Sequence, residues 1–117
     1  MKLLFLSLIL SIFFTNCVTS TIEIHNNTDN NASFCLKSSL ITKELIIIKP
    51  NEEAIFLYQF GANFSDSNLE YLVSNIGYIE LQNKNTSLFL DDKEEIFAYL
   101  KKRRRGVFKN KIVIYVK

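Results

Sequence analysis

The chain has no tryptophan, one histidine, one proline, two cysteines and three glycines among 117 residues. Each scarcity closes off a class of chemistry. With glycine only at 61, 77 and 106, no glycine-rich loop can wrap backbone N–H groups round a phosphate, and there is no nucleophile elbow. One histidine and two cysteines fall short of the roughly four ligands a structural zinc site takes, so neither metal nor cofactor is expected. His25, at the end of a strand-like segment, reads as a surface residue rather than a catalytic base. Several acids come as neighbours, Glu52-Glu53, Asp91-Asp92 and Glu94-Glu95. Adjacent side chains diverge on a helix and on a strand alike, which makes these solvated charges and poor acid–base pairs. The inventory points away from an enzyme.

Long apolar runs are also scarce. The one that exists opens the chain: Met1 and Lys2 are followed by Leu3 to Phe14, broken only by Ser7 and Ser11. One positive charge ahead of such a run has the layout of an export signal, and the run is shorter than the roughly 20 residues that span a bilayer. A signal peptide over residues 1–16 and one domain over 17–117 are therefore expected. About 100 residues are then left, enough for one modest core.

Two ways of processing this leader compete. The stretch Phe13-Phe14-Thr15-Asn16-Cys17 resembles a bacterial lipobox, in the relaxed form of spirochaete lipoproteins, with Phe14 where Leu is usual and Asn16 where Gly or Ala is usual. The resemblance implies cleavage before Cys17, acylation of that cysteine (palmitate among the chains) and attachment to a cell or outer membrane. Acyl chains add about 0.8 kcal/mol per buried CH₂, so several anchor stably. Alternatively, Val18-Thr19-Ser20 serves as a small-residue cleavage site and the protein is secreted in soluble form. In either case Cys35 is left alone and reads as a small buried hydrophobe, while a Cys17–Cys35 disulfide requires an uncut chain.

The rest of the chain is β-like. Alternation over Thr21–His25, the segment Ala32–Lys37, the continuous apolar run within Glu44–Lys49 (suited to a buried strand), Ala54–Phe60, Tyr78–Gln82, Ser87–Leu90 and Lys111–Lys117 predict seven strands. Pro50-Asn51 suggests a hairpin between the third and fourth. Leu69, Leu72, Val73 and Ile76 have helical spacing, with Asp66 or Ser67 to start the helix and Gly77 to end it. Asp91–Arg105 reads as a second helix, with acids in its first turn, cations in its last and Gly106 as its cap. A hairpin with a basic tip is the competing reading. The expected class is mainly β, an antiparallel sheet or sandwich with one or two short helices, with α+β as the alternative. Asn26, Asn31, Asn63 and Asn85 begin Asn-x-Ser/Thr sequons, expected in surface turns.

Charge is distributed unevenly. Residues 17–100 carry five lysines and twelve acids, a balance of −7, whereas 101–117 carry eight cations and no acid. Lys101, Lys102, Arg103, Arg104, Arg105, Lys109 and Lys111 form the candidate site for an anionic ligand, such as a lipid headgroup or a glycan. Export argues against nucleic acid. The bland alternative is a helix end that offsets its dipole. The function expected is that of a non-enzymatic binding or structural domain held at the membrane by N-terminal acyl chains, or a soluble secreted protein that holds anionic ligands through residues 101–111.

Overall fold

A computed structural model describes residues 20–38, 45–58 and 63–117. The leader, Cys17 and the residues flanking the proposed cleavage points ahead of Ser20 lie outside them, as do Glu44 and the segment from Gln59 to Gly61.

Eight strands and two helices follow in the order β1 (Ser20–Asn26), β2 (Ala32–Ser38), β3 (Leu45–Ile48), β4 (Glu53–Tyr58), α1 (Asp66–Ser74), β5 (Ile76–Asn83), β6 (Thr86–Leu90), α2 (Lys93–Lys102), β7 (Arg104–Arg105) and β8 (Lys111–Val116). They form two four-stranded sheets, β4-β1-β8-β7 and β3-β2-β5-β6. The protein is mainly β, with two antiparallel-rich sheets and two short helices. Alternation builds the core. Ile22 and Ile24 of β1 point inward while Thr21, Glu23 and His25 point outward, and Ala32, Phe34 and Leu36 do the same on β2. The inward residues of both sheets, with Phe64 and the apolar sides of both helices, make one buried cluster. Phe34 and Phe56 meet across it with ring centroids 5.7 Å apart.

The structure changes several local expectations. The turn at Pro50 does not make a hairpin: β3 pairs with β2 and β4 with β1, so residues 49–52 carry the chain from one sheet to the other. The apolar run of β3 is not a buried strand. It forms a sheet edge, with Leu45 and Ile47 63% and 61% exposed. The first helix starts at an N-cap on Ser65, whose Oγ accepts from the Asn68 N–H, and ends at Asn75. Ile76 and Gly77 already belong to β5. The second helix is capped by Asp92, not Asp91, and Arg103 ends it. Gly106 serves a later turn with φ +93°. One strand pair, β1 with β8, is parallel within an otherwise antiparallel arrangement.

Candidate anion-binding site

The basic run divides because β7 is a strand. Successive side chains on a strand face opposite ways, so Arg104, opposite buried Ile112, turns inward while Arg105, opposite exposed Lys111, turns outward, and Arg103, at the end of α2, joins the outward side. Arg104 is committed to the fold. Its Nη1 donates to the Phe64 carbonyl at 3.0 Å and to Asp66 Oδ1 at 2.8 Å. Lys101 joins it, with Nζ 3.4 Å from Asp66 Oδ2. The Arg104 hydrogen bond is the main reason the Asp66 carboxyl is held below its ordinary value, with Lys101 adding to it and partial desolvation opposing it.

The outward cations meet residues of β8. Lys102, Arg103, Arg105, Val113, Tyr115 and Lys117 line an open hollow of about 480 Å³ on the outer face of the first sheet, and among the described residues no Asp or Glu side chain lines it. Arg103 is held in place there. Its guanidinium carbon lies 3.5 Å from the Tyr99 ring centroid and its Nη1 donates to the Tyr99 carbonyl at 2.9 Å. A guanidinium has five N–H donors, so most of them stay available. Burial pushes the Tyr99 phenol above its ordinary value, and the charge of Arg103 partly offsets this. Arg105 donates to the carbonyls of Lys102 and Arg104. Clustered cations over a low-dielectric floor concentrate a positive potential, and the planar donor fork of arginine suits phosphate, sulphate or carboxylate oxygens.

Of the seven cations read from the sequence, the structure thus gathers Lys102, Arg103 and Arg105. Lys111 is on the same sheet face but has its Nζ 3.7 Å from Glu23 Oε2. Lys109 lies in the turn after β7 and does not line the hollow. The structure adds Lys117, Tyr115 and Val113, which lie outside the basic run. The period of two in Lys111, Val113, Tyr115 and Lys117 is the signal that places them on one face.

Beside the hollow, His25 stacks against Tyr115 with centroids 5.3 Å apart. His25 faces two carboxylates, Nε2 to Glu23 Oε1 at 3.2 Å and Nδ1 to Glu53 Oε2 at 3.1 Å. These three side chains could meet round a cation, but here they satisfy one another, and Lys111 takes the second oxygen of Glu23. The composition of the chain had left such a group unforeseen, because Glu53 reaches His25 only through the β1–β4 register.

Cys35 is half-buried on the outer face of the second sheet, its Sγ 3.5 Å from the Tyr78 hydroxyl, and so is not part of the core. Of the four sequons, Asn31 and Asn85 are exposed and Asn63 is half-buried, but Asn26 is fully buried at the end of β1 and not in a surface turn. Among the described residues no helix is long and apolar enough to cross a membrane. No family model, curated protein or solved structure matches the chain.

Proposed function

We propose that this is an exported binding module, anchored to a membrane through acyl chains on Cys17, that holds an oxyanionic group of its ligand in the hollow between β7 and β8. The observation that carries the binding half is the gathering of Lys102, Arg103, Arg105 and Lys117 with no Asp or Glu side chain among the described residues that line the hollow. The floor of Val113 and the half-exposed Tyr115 add an apolar contact for whatever bears the charge. Phosphate on a lipid headgroup and sulphate on a glycan share this chemistry. In this reading the role is binding, and the one histidine is held between two carboxylates rather than aimed into the hollow.

The lipid anchor rests on the lipobox-like stretch ending at Cys17. One feature of β1 favours it over secretion after a cut at Ser20. That cut would remove the first residue of β1, which is buried, whereas a cut before Cys17 leaves three residues ahead of the strand. Labelling with radioactive palmitate and mass spectrometry of the mature N-terminus separate the two, and an unlabelled protein in the medium removes the anchor.

Binding is tested on immobilised heparin and on anionic vesicles. Lys102→Ala combined with Arg105→Ala is expected to lower the salt needed for elution from one or both matrices, and which one responds identifies the source of the anion. Arg104→Ala, which disturbs the Asp66 contact instead, is expected to lower stability more than retention. Retention unchanged in the double variant on both matrices would discard the site.

A further inference from the structure

The turn joining β7 to β8 projects two large apolar side chains into solvent. Val107 is 94% exposed and Phe108 70%, the two most exposed large hydrophobics among the described residues. Apolar side chains at a turn tip usually fold back on the nearest apolar surface, since leaving water is favourable. Here they stand clear of the body on a turn whose backbone is held in place. Gly106 has φ +93° and Lys109 has φ +54°, both in the left-handed region. The Lys109 N–H donates to the Gly106 carbonyl at 3.2 Å and closes the turn. The turn is then tied to the body at two points: the Phe64 N–H donates to the Lys109 carbonyl at 2.7 Å, and the Thr21 N–H to the Asn110 carbonyl at 3.0 Å. A Cβ added at Gly106 would sit 2.9 Å from Asn110 Oδ1 and push that side chain aside, so glycine is needed there chiefly for its backbone. The protein fixes an apolar tip in an exposed position.

The tip is bracketed by charge of one sign. Arg105 and Lys109 flank it in sequence and are exposed, and no acidic residue occurs between 101 and 117. Neither cation has a carboxylate partner among the described residues. An apolar wedge within a collar of cations matches the boundary of an anionic bilayer, where acyl chains begin just beneath negative headgroups.

We propose that the 106–110 turn docks the domain on an anionic membrane, with Val107 and Phe108 entering the headgroup–acyl boundary and Arg105 and Lys109 lying against the headgroups. The position of the chain start fits this. β1 and β8 run parallel with Thr21 opposite Lys111, so the first described residues emerge at the same end of the molecule as the turn. Residues 17–19 reach at most about 10 Å when extended. Acyl chains on Cys17 would hold this end at the bilayer, and the turn would be a second contact that fixes the orientation of the domain. The proposal stands on the turn's own geometry and needs neither the anchor nor the hollow.

The absence of tryptophan gives a clean reporter. Phe108→Trp in the exported full protein places a single indole at the tip. In vesicles containing phosphatidylserine its emission is expected to shift to shorter wavelength and to be quenched by lipids labelled high on the acyl chain. Both changes should be weaker in phosphatidylcholine vesicles, which the acyl chains still reach, and should weaken likewise when Lys109→Glu, outside the hollow, is added. Phe89→Trp, on the far sheet, is the control and should respond to neither vesicle. The proposal is overturned if the Phe108→Trp emission is unmoved by anionic vesicles, or if Phe89→Trp responds as strongly, which would mean adsorption without orientation. Lys117→Glu, which alters the hollow alone, should leave the tip response intact while reducing heparin retention, so the two sites fail separately.

Discussion

Asn26 has 0% of its surface exposed and uses both ends of its amide. Its Nδ2 donates to the carbonyls of Asn30 at 2.8 Å, Ile48 at 2.9 Å and Lys49 at 3.2 Å. Its Oδ1 accepts from the N–H and hydroxyl of Thr28 at 3.1 and 2.6 Å. One side chain thereby ties the end of β1, in one sheet, to the end of β3, in the other. Three carbonyls round one nitrogen leave no doubt which end of the amide carries hydrogen. Asn26→Ala abandons those carbonyls and should cost about 2–3 kcal/mol in urea unfolding. Asn26→Asp should cost more, since it replaces the donor with an oxygen aimed at the same carbonyls in a buried site. An aspartate variant as stable as the wild type would show that the network contributes nothing. Its burial also leaves the sequon at Asn26 out of reach in the folded protein, although the triplet is indistinguishable from the exposed ones at Asn31 and Asn85 when read as sequence.

At the level of elements, the link between α1 and β7 is the place where charge enters stability. Asp66, in the first turn of α1, takes Arg104 at 2.8 Å and Lys101 at 3.4 Å. Its folded pKa is lowered, first by the Arg104 hydrogen bond. A lowered carboxylate contributes stability that is fully present above its unfolded value, about 3.9, and that is lost as pH falls through the folded value. The stability difference between wild type and Asp66→Asn should therefore be constant near neutrality and shrink below about pH 4. Because Asp66 is exposed, salt should weaken the difference as well. Thermal melts across pH at low and high ionic strength check this, and a difference that persists at pH 2 removes the ion pair as its source. The same region shows what was legible in the sequence. Acids ahead of and cations behind Ile96, Phe97, Tyr99 and Leu100 marked α2, because capping and dipole effects are local. The division of the cations was not legible. It depends on β7, a two-residue strand that exists only because β8 is there to pair with it. Pro50 misled for the same reason: a turn residue fixes where a strand stops but not which strand it will pair with.

Across the whole molecule, the two ends of the described chain complete one sheet. β1 and β8 lie side by side at the centre of β4-β1-β8-β7, with Ile24 opposite Ile114, both at or near full burial. A parallel pair of this kind cannot form through a tight turn, and its loop-closure cost must be met before the contact rewards it. The lone parallel pair therefore could not be read from local alternation, which identifies strands but not their order. It also makes stability indivisible, since the cluster containing Ile24 and Ile114 includes Phe34, Leu36, Ile79 and Leu81 from the other sheet. Ile114→Ala should cost about 3 kcal/mol through lost burial and the cavity left behind. Ile47→Ala, on the exposed edge strand, should change stability by less than about 0.5 kcal/mol despite removing the same atoms. The contrast tests burial against composition, and amide exchange tests whether the core is single. Ile114→Ala should lower protection in β2 and β5 as much as in β1. If β2 and β5 keep their protection while β1 loses it, the sheets unfold separately, and the packing between Phe34 and Phe56 does not unite them.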